Sequence, residues 1–144
     1  MIIDRGHATD KRGHTVVNKI IIRFADGRIM KGTTEDFFPN KISFHIQDKE
    51  SGELINIGIK DLKAVFFVKS FDGDSSYREK ADAERCGLGR KIRVSFKDGE
   101  VIVGYTQGYS RDRAGFILFP ADQDSNNEKV FVISSATDSI DFVI

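Results

Sequence analysis

Two stretches of this chain carry the same pattern. Residues 19–46 align without a gap on residues 91–118, at a constant offset of 72. Lys19, Ile20, Ile22, Phe24, Asp26, Gly27, Ile29 and Gly32 meet Lys91, Ile92, Val94, Phe96, Asp98, Gly99, Val101 and Gly104. Thr34, Phe37, Phe44 and Ile46 then meet Thr106, Tyr109, Phe116 and Leu118. A duplication of this kind means one small supersecondary unit used twice. Further on, Ile55 and Ile57 match Val130 and Val132, and Val65 and Phe67 match Ile140 and Phe142, at an offset of 75.

Each copy reads as strands. Ile20, Ile22 and Phe24 alternate with Ile21 and Arg23, the period of two expected of a half-buried strand. Asp26-Gly27 follows, a short hairpin signal, because glycine takes positive φ without a Cβ clash. The return strand, Arg28–Thr34, carries Gly32 in its interior, where a strand bends sharply or meets another backbone. Ile42, Phe44 and Ile46 make a third strand and Ile55, Ile57 and Ile59 a fourth. One helical turn at Lys60-Asp61-Leu62 precedes a fifth, Ala64–Val68. That strand is apolar on both faces, so it is either covered on both sides or an edge used for association. The second copy repeats the series through Asp98-Gly99 and Gly104, with a longer polar turn at Pro120–Lys129.

These patterns divide the chain into a loose arm (1–16), a first unit (17–70), a linker (71–89) and a second unit (90–144). Ser75 or Ser76 as N-cap predicts a short linker helix over Tyr77–Arg85, stopped by Gly87 and Gly89. The 22 basic and 22 acidic residues cancel. By segment the net charges are +1, +2, −2 and −1, too small for an electrostatic nucleic-acid footprint. The single cysteine, Cys86, excludes an internal disulfide and a cysteine-rich metal site. No apolar run reaches the roughly 18 residues of a membrane span, and no cleavable leader is recognisable. A cytoplasmic protein is expected.

Five short strands, a mid-strand bend and a helical turn before the last strand describe a small, strongly bent barrel. The stretches IIIRFADGRIMKGTTEDF and KIRVSFKDGEVIVGYTQGY resemble the first motif of Sm-like barrels. Asp26-Gly27, Gly32 and Phe37 carry that resemblance in one copy, and Asp98-Gly99, Gly104, Gly108 and Tyr109 in the other. The chain from residue 17 to 144 also resembles an uncharacterised bacterial family with two such repeats. Gly104-Tyr105-Thr106, Leu62–Val68 and Gly115–Glu128 carry that likeness. The resemblance implies an all-β protein of two tandem five-stranded Sm-like, or Src-homology-like, barrels. It also implies occurrence alone or appended to bacterial signalling modules, and it brings no activity.

Nothing in the sequence converges on a reactive group, so no enzyme and no cofactor are expected. His7 and His14 lie in the arm, and His45 falls on the face opposite Phe44. No histidine pair has ligand spacing. The carboxylates Asp122, Asp124 and Glu128 lack the order of a calcium loop. Sm-like proteins read bases with an Asp and an Asn after strand two and an Arg-Gly pair near the last strands. Here the first two positions hold Phe38 and Ile42 in one unit and Ser110 and Ala114 in the other. Lys60-Asp61-Leu62 and Ser135-Ala136-Thr137 replace the Arg-Gly pair. Phosphate contacts from Lys31, Lys41, Lys63 and Lys69, and stacking on Phe37, Phe38, Tyr105 and Tyr109, remain a nucleic-acid or nucleotide alternative. The leading expectation is a non-catalytic interaction or ligand-binding module acting in bacterial signalling. Its partner is an unknown protein, or a second copy at an edge strand. The candidate surface is Phe37, Phe38, Asn40, Lys41, Phe66, Tyr105, Tyr109, Asn126 and Asn127.

Overall fold

A computed structural model describes residues 17–143 of the chain, so the expected arm at 1–16 lies outside the described residues. The first repeat forms β1 (Asn18–Phe24), β2 (Ile29–Thr34), β3 (Ser43–Asp48), β4 (Leu54–Gly58) and β5 (Leu62–Val68). The second forms β6 (Arg90–Phe96), β7 (Val101–Thr106), β8 (Gly115–Pro120), β9 (Asn127–Ile133) and β10 (Thr137–Phe142). A single 3-10 turn, Ile59–Asp61 or Ser134–Ala136, precedes the last strand of each repeat, as expected from the sequence. Among the described residues the ten strands make one antiparallel sheet that does not close, ordered β10-β6-β7-β8-β9-β5-β1-β2-β3-β4.

The two halves match down to single hydrogen bonds. Gly27 and Gly99 take φ of 97° and 94° at the two hairpin turns. Asp26 and Asp98 each accept the N–H two residues on, at 3.0 Å. At Gly32 a Cβ would lie 2.1 Å from the Gln47 carbonyl, and at Gly104 it would lie 2.3 Å from that of Phe119. These glycines let β2 and β7 cross the next strand in close backbone contact. Two residues on, the buried Thr34 and Thr106 hydroxyls donate to the carbonyls of His45 (2.7 Å) and Ile117 (2.8 Å). Each bend is therefore fixed by one missing side chain and one internal hydroxyl bond.

The repeats join through β5, which pairs with β1 on one side and β9 on the other. Every residue of β5 is buried. Val65 and Phe67 point into a first core with Ile20, Ile22, Phe44 and Ile46. Ala64, Phe66 and Val68 point into a second with Ile92, Val94, Phe116 and Leu118. Strand β9 does the same in reverse: Phe131 and Ile133 complete the first core, Val130 and Val132 the second. The two-faced apolar strand is thus covered on both sides and is not a free association edge. Phe66, only 6% exposed, belongs to this seam and not to a docking surface. Lys63, also buried on β5, pairs with Asp98 at 2.7 Å and with Glu100, so it is no phosphate contact. Its ammonium lies 4.7 Å from the Phe96 ring centre.

The linker holds no helix among the described residues. A short isolated helix is marginal in water, and here the second unit claims the linker's polar groups instead. The buried Asp122 carboxylate accepts from the Tyr77 hydroxyl and from the Lys80 N–H at 3.0 Å. Ser125 donates to Glu79, and Arg85 donates to the Pro120 carbonyl at 3.0 Å. The linker is a strap laid over β7–β9. Hydrogen bonding to Asp122, with burial and neighbouring carboxylates adding, pushes the Tyr77 phenol up to about 12.

Two outcomes follow from these contacts. Gly32→Ala should cost about 1–3 kcal/mol by overpacking against backbone. Gly58→Ala, where nothing lies within 4 Å, should be near neutral. Urea unfolding of the pair checks this. In a phenolate absorbance titration, one of the three tyrosines should titrate near 12, and Asp122→Asn should return it towards about 10. Because the folded phenol is the more basic, the strap's contribution is full below the unfolded value. It fades as pH rises through the folded one.

Candidate functional site

The β2–β3 and β7–β8 connections are equivalent by sequence, and they open onto the same place. Between the repeats lies a cleft of about 780 Å³. The first repeat lines it with Pro39, Asn40, Lys41, Ile42 and Ile59. The second lines it with Gln107, Gly108, Arg113, Ala114 and the β8–β9 residues Gly115, Phe116, Ile117, Phe119 and Lys129. Lys41 and Arg113 sit at equivalent positions, 72 residues apart. Lys129 adds a third cation, and none of the lining residues is acidic. Ile42 is 81% exposed at the rim. Ile59, Ile117 and Phe119 supply apolar wall.

Local chemistry holds the two connections in place. Asp36 accepts the His45 N–H at 2.9 Å and the His45 ring Nδ1 at 2.6 Å. Partial burial pushes the Asp36 carboxyl up, but the His45 N–H and ring and the Thr34 hydroxyl outweigh it and hold the carboxyl low. Phe37 then drops into the first core, edge-on to Phe44, Phe67 and Phe131 at 5.0–5.2 Å. Its equivalent Tyr109 packs the same way on Phe116 at 5.0 Å. In the second repeat Gly108 stands where Asp36 stands in the first, and Gln107 donates to the Gly87 carbonyl at 3.0 Å instead.

The expected surface residues therefore separate. Asn40 and Lys41 reach the cleft. Phe38 is half-buried beneath Lys41, whose ammonium lies 5.3 Å from the ring centre. Phe37 and Tyr109 are core plugs, and Tyr105 is buried with its hydroxyl accepting the Arg85 N–H at 3.2 Å. Tyr105 is buried, and Phe37 and Tyr109 are half-buried against the two cores, so packing takes much of their surface. Asn126 pins the start of the linker: its Oδ1 accepts from Ser70 N (3.1 Å) and Oγ (3.3 Å), and its Nδ2 donates to Ser70 O at 2.9 Å. Asn127 opens β9 opposite Val68 and donates its N–H to Ser125 Oγ at 3.0 Å. Lys31 and Lys69 donate to the carbonyls of Phe71 (3.2 Å) and Gln123 (3.0 Å).

Arg113, Lys129, Gln107 and Ile42 were not among the expected surface residues. The offset that aligned the aromatics also aligns Arg113 with Lys41, so that cation was recoverable. Lys129 was not, because its place in the cleft depends on the β5–β9 pairing. The side chains of Lys41, Arg113 and Lys129 make no ion pair among the described residues. Lys129 instead lies 4.7 Å from the Phe67 ring centre.

Among the described residues no group of histidine, cysteine and carboxylate side chains could hold a metal ion. No helix of the described residues is long and apolar enough to cross a membrane. No curated protein and no solved structure matches this chain. Residues 16–143 match DUF6982, described as a family of unknown function, and the chain belongs to that family.

Proposed function

We propose that this chain is a non-catalytic interaction module, built from two Sm-like small barrels, that binds an acidic segment of a partner protein in the inter-repeat cleft. One observation carries the reading. Two sequence-equivalent connections place Lys41 and Arg113 on one cleft with Lys129, beside apolar wall and without a lining carboxylate. Cations that make no ion pair among the described residues, flanking apolar surface, suit a ligand that carries both carboxylates and apolar side chains. The barrel reading is supported by the strand order within each repeat: fifth, first, second, third, fourth. The crossing glycines and the 3-10 turn before each last strand support it too. The burial of Tyr105 and the half-burial of Phe37 and Tyr109 against the cores weigh against a nucleic-acid ligand, whose bases need exposed rings. A signalling role fits this reading and rests on the family resemblance alone.

The test is a polarisation titration of two labelled probes, a peptide of alternating Glu and Leu and a single-stranded oligonucleotide of equal charge. The peptide should bind, weaken with added salt, and lose about tenfold in affinity, about 1.4 kcal/mol, in Lys41→Glu/Arg113→Glu. Peptide binding indifferent to that double reversal and to Lys129→Glu would sink the proposal. Preference for the oligonucleotide would move the module to the nucleic-acid class.

A further inference from the structure

The seam between the repeats pairs the fifth strand of one with the fourth strand of the next, β5 with β9. Such a head-to-tail contact leaves an equivalent pair of edges unpaired among the described residues, because β10 corresponds to β5 and β4 to β9. These two strands stand at the ends of the sheet. Heterologous contacts of this kind generate rings or open filaments unless something stops them.

We infer that both outer edges are blunted at particular residues, so that neither accepts a second copy of this chain. The residues that make the seam dry are Ala64 and Phe66 on β5 and Phe131 and Ile133 on β9, all buried. At the equivalent places, offset by 75, the outer edges carry Ser139 and Asp141 on β10 and Asn56 and Gly58 on β4. The polar exchange falls on one face at two positions of each strand; on that face of β4 Leu54 is apolar and 69% exposed, where the seam has Lys129. On the same strands the inward positions remain apolar: Ile140 and Phe142 on β10, Ile55 and Ile57 on β4. Alternate residues of a strand point to opposite faces, so the polar substitutions fall where an added unit would pack and spare the positions that hold each core.

The β5–β9 register shows what a further copy would meet. Ala64 stands opposite Val132, and Phe66 opposite Val130. Carried to the outer edges, Ser139 would face Ile57 and Asp141 would face Ile55 of the second copy. Asp141 would then exchange water for an apolar surround with no partner for its charge, a heavily penalised burial. Asn56 and Gly58 would leave the place of Phe131 and Ile133 without apolar filling. A charged side chain on an open edge is a recognised guard against further pairing, and a polar outer face is what a terminal repeat needs. Phe142 is 39% exposed, and the Arg90 guanidinium covers its ring at 3.8 Å.

The experiment restores the seam residues one edge at a time. One variant carries Asn56→Phe and Gly58→Ile, the other Ser139→Ala and Asp141→Phe. Light scattering should give the monomer mass of 16.2 kDa for the parent chain and for each variant alone over a hundredfold range of concentration. An equimolar mixture should give a one-to-one dimer, and all four changes in one chain should give open-ended assemblies. Where the paired β4 changes prevent folding, Asn56→Phe mixed with Asp141→Phe tests the same contact. The inference is overturned by a parent oligomer that Ile140→Pro disperses. Folded complementary variants that stay monomeric when mixed overturn it equally.

Discussion

Everything in this protein hangs on one backbone ladder, the pairing of β5 with β9. β5 is buried throughout and β9 from Val130 to Ile133, and apart from Lys63 each of these residues serves one core or the other. Val65 and Phe131 fill the first core, and Phe66 and Val132 fill the second. At roughly 1.5–3 kcal/mol for each large apolar side chain buried, this seam outweighs any surface ion pair in the molecule. It also sets the distance between the β2–β3 and β7–β8 connections. The cleft is therefore a by-product of the seam.

Around that ladder the two repeats agree in backbone and differ in surface. The crossing glycines, buried threonines and edge-on aromatic plugs recur at the same offset with nearly the same distances. Differences collect where the repeats meet other things. Asp36 clamps one connection to His45, whereas Gly108 frees the other to bond the linker through Gln107. Asp122, Ser125 and Asn126 sit in a turn with no buried counterpart in the first repeat, and they hold the strap. The two halves share a scaffold, and differences at a few loop positions give the asymmetry.

The strands, the hairpin turns and the mid-strand crossings were legible in the sequence because each is written in neighbours two to five residues apart. The strap was not, because its partners are remote: Ser70 finds Asn126 and Tyr77 finds Asp122. Local signals there pointed to a helix, and long-range hydrogen bonds overrode them. The polar turn Pro120–Lys129 looked solvated, yet Asp122 and Ser125 are buried. The aromatics Phe37 and Tyr109 invited a binding role. Their conservative exchange between the two copies was the better clue, since a position kept aromatic in both units is a packing position. In the cleft, Asn40 and Lys41 were legible and Lys129 was not.

The shared seam also has a consequence for how the chain is made. Phe131 and Ile133, which complete the first core, leave the ribosome only after the linker and three strands of the second repeat. Until then Leu62–Val68 is an uncharged apolar strand, but for Lys63, with one side unpaired. Segments of that kind are the ones that aggregate when exposed during synthesis. The first repeat thus emerges first but is completed only when most of the second has followed, and its survival in the interval depends on how quickly the second repeat follows it.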